Sequence, residues 1–261
     1  METELASVDG IDVAILTLNR PEQRNPLDHP TIQALRLAVE AQLGPDGPRA
    51  IVITGAGLAF SAGGDLKAYQ TLYRDPAAFT AFMKEFGELC SLIEQCRPIV
   101  IAMVNGACVA GGLELSLACD LIAIAAEARI GDGHLTFGQL PGAGGSQRLV
   151  RAIGVQRARQ WLLTGELYPA QYAADIGLAS LIAPRAELRE RTLRLAAGIA
   201  RHTPLGLQRM KHLIDIASTT ALPDGLAAEI GVVLDYATTS HDAQEGLDAF
   251  AERRQPRYLG R

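Results

Sequence analysis

The chain has 261 residues, of which 48% are hydrophobic and 20% charged, with a formal net charge of −5. That is the composition of a soluble globular protein with ample core to bury. The acidic balance excludes a general affinity for nucleic acid or anionic lipid, while a local basic patch for a phosphorylated small molecule stays open. Four cysteines, Cys90, Cys96, Cys108 and Cys119, lie in apolar or helical contexts without the spacing of a metal clip, so they read as reduced core thiols and no metal is expected. The opening METELASVDG has neither a basic, apolar leader nor an arginine-rich amphipathic stretch. No apolar run approaches the ~20 residues of a membrane span, so the expectation is a cytoplasmic protein.

In chain order, DVAILTL (12–18), AIVIT (50–54), IVIAMV (99–104) and LIAIA (121–125) are short aliphatic runs bounded by turn residues, which predicts strands. Helices are expected between them at roughly 30–43, 77–96 and 112–119. Asp75-Pro76 supplies an N-cap and a first-turn proline for the long one. Beyond Gly142 the character changes. GGSQRLVRAIG, VQRARQWLLTG, PAQYAADIG, ELRERTLRLAAGIARH, PLGLQRMKHLIDIA and DAQEGLDAFAERR all read as helices punctuated by Gly or Pro. The pattern is α/β: a β/α core of about 180–200 residues, then a helical region, a size within reach of one domain.

Two glycine-rich segments invite a nucleotide-binding reading. In TGAGLAFSAGGDLK (54–67) the third glycine of a G-x-G-x-x-G is replaced by Phe60, and in PGAGGSQR (141–148) by Gln147. Neither is followed by Gly-Lys-Ser/Thr, so the dinucleotide reading fails on spacing. Gly63-Gly64 and Gly111-Gly112 nonetheless leave backbone N–H groups with no side chain over them. Two such loops facing one another would hold an oxygen that becomes negative during a reaction. Taken singly, each loop is explained as well by a tight turn.

The segment VNGACVAGGLELSLACD (104–120) poses a sharper question. Leu113 to Cys119 is apolar or small on every side except at Glu114, and a helix without a polar face is a buried one. A carboxylate in its first turn serves either the helix terminus or chemistry. Desolvation would raise its pKa while the helix N-terminus would lower it.

Four ordered motifs carry a resemblance. LTLNRPEQRNPLD, AFSAGGDLK, VNGACVAGGLELSLACDLIAIA and LPGAGGSQRLVRAIG are similar to segments of the crotonase, or enoyl-CoA hydratase/isomerase, superfamily, from about residue 10 to the C-terminus. The resemblance implies a crotonase-like spiral of ββα units over residues 1–200 carrying a coenzyme A thioester site. Residues 201–261 would be a C-terminal helical region that assembles a trimer or a dimer of trimers. It places the N–H groups of Gly64 and Gly111 around the thioester oxygen as an oxyanion hole. Arg24, Leu27, Ala62, Asp65, Leu66, Lys67 and Gly142 fall where family members touch the substrate or its coenzyme A. No cofactor is implied beyond the coenzyme A of the substrate. Glu114 matches the first of two catalytic glutamates of the hydratases, the one that helps to activate water.

The second glutamate is missing. Its position falls on His134 in ARIGDGHLTFGQLPG, with Asp132 two residues earlier. An imidazole suits either protonation state near neutrality, so His134 is a candidate proton donor or a substrate-binding group, and Asp132 is its candidate partner or a solvent-facing turn residue. The resulting expectation is a hydratase or dehydratase acting on a 2-enoyl- or 3-hydroxyacyl-CoA with Glu114 and His134 at the chemical step. An isomerase or other enolate-forming reaction, and a non-catalytic acyl-CoA-binding homologue, are the competing readings.

Overall fold

A computed structural model describes residues 1–44 and 46–261. A hairpin opens it: β1 (Glu2–Val8) and β2 (Ile11–Leu18) are joined by Asp9-Gly10. Both turn residues have positive φ, at 50° and 78°, the geometry for which Asp-Gly is favoured in two-residue hairpins. α1 (His29–Glu40) follows, then β3 (Ala50–Gly55), β4 (Ala59–Ser61), α2 (Leu66–Leu72) and α3 (Pro76–Gln95). The next turns of chain give β5 (Ile99–Val104), β6 (Ala107–Val109) and α4 (Gly111–Leu117), then β7 (Leu121–Ala125) and β8 (Arg129–Gly131). A 3-10 turn at His134–Phe137 leads to α5 (Gly145–Ile153), α6 (Val155–Thr164), β9 (Tyr168–Pro169), α7 (Ala170–Asp175) and β10 (Leu181–Ala183). Four helices close the chain: α8 (Arg185–Ala200), α9 (Pro204–Thr219), α10 (Leu222–Thr239) and α11 (His241–Glu252).

Among the described residues the strands form two sheets, ordered β1-β2-β3-β5-β7-β10 and β4-β6-β8-β9. Each turn of the chain lays one strand on the first sheet and the next on the second before a helix returns it: β3/β4, β5/β6, β7/β8. This is the expected spiral of ββα units. β2, β3, β5, β7 and β10 pair in parallel, with β1 antiparallel at the edge.

Burial explains why these runs are continuously apolar and do not alternate. Every residue of β3 and β5 is buried, as expected for parallel strands covered on both faces. α8 covers one face with Leu188, Leu193, Ala196, Ala197 and Ala200. α1 and α3 bring Ile32, Leu35, Phe86, Leu89 and Ile93 into the same core. Each large aliphatic side chain so buried contributes about 1.5–3 kcal/mol. The cysteines are free: Cys90, Cys96 and Cys108 are buried and Cys119 half-buried. Burial pushes the Cys90 and Cys108 thiols up to about 12, out of the nucleophilic range.

The predicted strands and long helices lie within a residue or two of the observed ones, apart from α1, which ends three residues earlier. β1, α2 and the three-residue strands β4, β6, β8 and β10 were not expected. Nor was a separate helix at 222–239, a stretch that carries Pro223, Gly225 and Gly231. Among the described residues no helix is long and apolar enough to cross a membrane.

Candidate active site

The second sheet brings the two glycine loops together. β4 pairs with β6 in parallel, so the loops that leave their C-terminal ends, 62–65 and 110–112, run side by side. Gly63, at φ +90°, is the point of contact. A Cβ there would lie 2.8 Å from Ala110 Cβ and 3.1 Å from the Gly111 amide nitrogen. Gly112 is as constrained, because a Cβ would come 2.6 Å from the Ser61 carbonyl oxygen. Ala110 takes φ 52°, ψ −118°, a strained conformation for a residue with a side chain and one that collects at functional sites. Among the described residues the Gly64 and Gly111 amides donate to no protein acceptor. Two loops with unpaired N–H groups therefore lie side by side.

The opening segment braces this arrangement. Asn25, buried and at φ 54°, donates from its amide to the carbonyls of Ala56 (3.0 Å) and Ala59 (2.9 Å) and accepts from the Arg20 N–H (2.9 Å). Ser61 Oγ donates to the Asn25 carbonyl at 2.7 Å and accepts from the Gly63 N–H at 3.1 Å. The Ala62 N–H then donates to the Arg24 carbonyl and the Leu27 N–H to that of Gly63, both at 2.9 Å. Two stretches nearly forty residues apart are thereby zipped into one wall.

Glu114 is buried on α4, 2% exposed. Its Oε1 accepts from the backbone N–H groups of Ala143 and Gly145, both at 2.8 Å. A carboxylate with two such donors is oriented and partly compensated for lost water. Burial still dominates and raises its pKa, against the Gly145 N–H, His134 and the Ala143 N–H, which lower it. Gly145 must be glycine, since a Cβ would lie 2.9 Å from Glu114 Cγ. The donor loop is itself held by Arg148 on α5, which donates to the Ala143 carbonyl at 2.6 Å and pairs with Glu94 of α3, Nη2 to Oε2 at 2.7 Å.

Oε2 of Glu114 faces the ring of His134, 3.8 Å from its Nε2. The other ring nitrogen, Nδ1, lies 2.9 Å from Asp132 Oδ1, and the His134 backbone N–H donates to Asp132 Oδ2 at 3.3 Å. Gly133, at φ +64°, makes the turn that lets residue 132 reach residue 134. Asp132 is therefore no solvent-facing turn residue: it is 1% exposed and holds the imidazole.

The other expected positions spread around this centre. Leu27 is buried with its Cδ1 against Gly111, where a Cβ would come within 3.4 Å of it. Asp65 caps α2, accepting from the N–H groups of Lys67 (2.9 Å) and Ala68 (3.3 Å). Arg24, Ala62, Leu66 and Lys67 are exposed along the same rim, and Gly142 lies across the site against Met83 of α3. Among the described residues no three His, Cys, Asp or Glu side chains converge as metal ligands.

Sequence reasoning missed the braces. Asn25, Ser61, Arg148 and the Ala143 and Gly145 amides touch no motif-level chemistry, although the GAGGSQR run did mark the loop. It also missed Tyr69, whose hydroxyl lies against Gly64, 2.2 Å from where a Cβ would be. Burial raises the Tyr69 pKa, which keeps the hydroxyl protonated as a hydrogen-bond donor beside the site.

Residues 10–261 match the enoyl-CoA hydratase/isomerase family. The 2,3-dehydroadipyl-CoA hydratase of Escherichia coli is 37% identical over 249 residues, covering 95% of this chain and 96% of that one. The mitochondrial enoyl-CoA hydratase of Pongo abelii is 34% identical, covering 94% of this chain and 83% of its own. The crystal structure of an enoyl-CoA hydratase from Bacillus anthracis superposes with a TM-score of 0.92 at 32% identity, covering all of both chains. The chain belongs to the enoyl-CoA hydratase/isomerase family: it is a hydratase-like enzyme whose substrate is an acyl-CoA thioester.

The Arg148 brace is testable. Arg148→Ala frees the 141–145 loop and misaligns both donors of Glu114, so kcat should fall ~10²-fold, the cost of an ångström-scale displacement. KM should hardly move. Arg148→Lys, which cannot make the forked pair, should not restore the rate. Steady-state kinetics of an Arg148→Ala enzyme with undiminished kcat would dismiss the brace.

Proposed function

We propose that the enzyme hydrates a 2-enoyl-CoA, with Glu114 as the base that activates water and His134 as the acid that protonates the α-carbon. The observation that carries this reading is the 3.8 Å gap between Glu114 Oε2 and His134 Nε2, across which one water can hydrogen-bond both groups. The N–H groups of Gly64 and Gly111 hold the thioester oxygen as negative charge moves onto it, a contribution worth ~10²–10³ in rate per donor in comparable sites. The rim formed by exposed Arg24, Ala62, Leu66 and Lys67 and half-buried Asp65, together with Leu27 and Gly142, receives the coenzyme A and acyl portions. No further cofactor is needed, because acid, base and oxyanion donors complete the reaction.

The steps balance. Water adds its oxygen to the β-carbon as Glu114 takes one of its protons. The enolate's charge is held at the thioester oxygen. His134 then delivers a proton from Nε2 to the α-carbon. The proton on Glu114 Oε2 returns to Nε2 through the next water, so one water is consumed and both residues are reset.

The two residues should give separable kinetics. Glu114→Gln keeps shape but cannot accept a proton, so kcat on 2-enoyl-CoA substrates should fall ~10²–10⁴ with ligand affinity retained. His134→Ala should lower kcat similarly and remove one limb of the pH–rate profile, whereas loss of a mere binding contact would raise KM alone. Near wild-type turnover by Glu114→Gln would refute the assignment.

Assembly into a trimer or dimer of trimers belongs to the same reading. It is supported by apolar side chains left exposed on the last three helices, among them Met210, Ile214, Ile230, Leu234 and Phe250, the kind of surface that subunit contacts cover. Light scattering at micromolar concentration should return three or six times the chain mass of 27.8 kDa. A clean monomer would contradict it.

A further inference from the structure

Asp132 has no place in the steps above, yet it is among the most buried charged side chains of the molecule. A buried carboxylate without a partner is costly, and its hydrogen bonds here run to one residue, His134, at both ring and backbone. Two consequences follow from the chemistry of the groups. An ionised carboxylate only accepts, so Nδ1 must carry hydrogen whether the ring is charged or neutral. That leaves Nε2 as the sole site that gains and loses a proton, and Nε2 is the atom that faces Glu114. The second consequence is charge. Asp132 and protonated His134 sum to zero, and after the proton leaves they sum to −1, the same two values that a single carboxylic acid would take.

We propose that Asp132 and His134 work as one neutral proton-donating unit, equivalent in charge and proton count to a carboxylic acid facing Glu114, with Asp132 as the positioning residue that fixes which ring nitrogen reacts. The proposal rests on the hydratase reading for its kinetic consequences but not for its tautomer. During a turnover the site's net charge stays at −1. It starts as ionised Glu114, His134 cation and ionised Asp132, and after proton transfer it is neutral Glu114, neutral His134 and ionised Asp132. Without Asp132 the ring would lose the acceptor that fixes Nδ1 as the protonated nitrogen, and either nitrogen could then carry the proton. Glycine at 133 keeps the pair within reach, since a Cβ would lie 2.7 Å from Val109 Cγ1.

Asp132→Asn is near-isosteric and tests the positioning. It should lower kcat ~10²–10⁴-fold, as loss of a histidine-orienting carboxylate does elsewhere, with KM within a few-fold of wild type. A charge cycle tests the equivalence. His134→Glu alone crowds three carboxylates into the site and should be as poor as Asp132→Ser alone, whereas the double variant Asp132→Ser/His134→Glu restores one acid and should exceed both singles by at least tenfold. A double variant no better than its singles, or an Asp132→Asn enzyme with full kcat, overturns the proposal. Nitrogen-15 NMR of ring-labelled histidine provides a readout independent of turnover, assigned by comparison with His134→Ala. The wild-type spectrum should show a far-downfield Nδ1–H of His134 that Asp132→Asn abolishes. Its absence from the wild type would overturn the fixed tautomer even if hydration proceeds. Its presence in a protein that hydrates no enoyl-CoA would retire the hydratase reading and leave the fixed tautomer standing.

Discussion

Everything at this site depends on holding an ionisable carboxylate among apolar side chains in one orientation. Glu114 sits on a helix whose neighbours Leu113, Leu115 and Ser116 are buried, and the two N–H groups of the 143–145 loop give it a fixed pose. They occupy Oε1 and leave Oε2 turned to His134. The loop keeps its place because Arg148 ties it to α3 through Glu94, and α3 in turn packs Phe86 against Gly111. One carboxylate therefore links the long helix, the buried helix and the loop before α5. Its raised pKa also fixes the sign of its effect on stability. Below the ordinary carboxylate range the neutral acid costs nothing extra, and as pH rises through its folded-state pKa, ionisation of the buried group destabilises the fold. The proposed base therefore carries a cost in stability.

The ββα spiral explains how loops distant in sequence become one pocket. Successive turns place β4, β6 and β8 side by side, so whatever follows each short strand lands on the same edge. After β4 comes the 62–65 loop, after β6 the 110–112 loop and α4, after β8 Asp132 and His134. The proposed oxyanion donors, base and acid are thus consecutive turns of a single repeat. Close approach at this edge accounts for the glycines at 63, 112 and 145.

What was legible in the sequence follows from the same physics. Fully buried parallel strands announce themselves as unbroken aliphatic runs, and IVIAMV or AIVIT can be little else. Three-residue strands such as 107–109 and 129–131 are too short to carry a pattern. Their pairing is set by the spiral around them. The Asp9-Gly10 turn was a usable hairpin signal for β1, whose strand Glu2–Val8 has no apolar run because it is a largely exposed edge. Glu114 was conspicuous as a lone charge on an apolar helix. His134 and Asp132 were visible as candidates through the resemblance, but their contact depends on Gly133 taking a left-handed turn, which spacing alone does not reveal. Asn25 and Arg148 act through backbone carbonyls, and no residue pattern advertises such a role.

The central claim is that this edge adds water across a conjugated thioester with the proton delivered to the α-carbon. The most direct measurement is mass spectrometry and NMR of the product formed from short 2-enoyl-CoA substrates in D2O. The account predicts a 3-hydroxyacyl-CoA with one carbon-bound deuterium, at the α-carbon. Deuterium at the γ-carbon with no added oxygen, or release of free coenzyme A thiol, would contradict it.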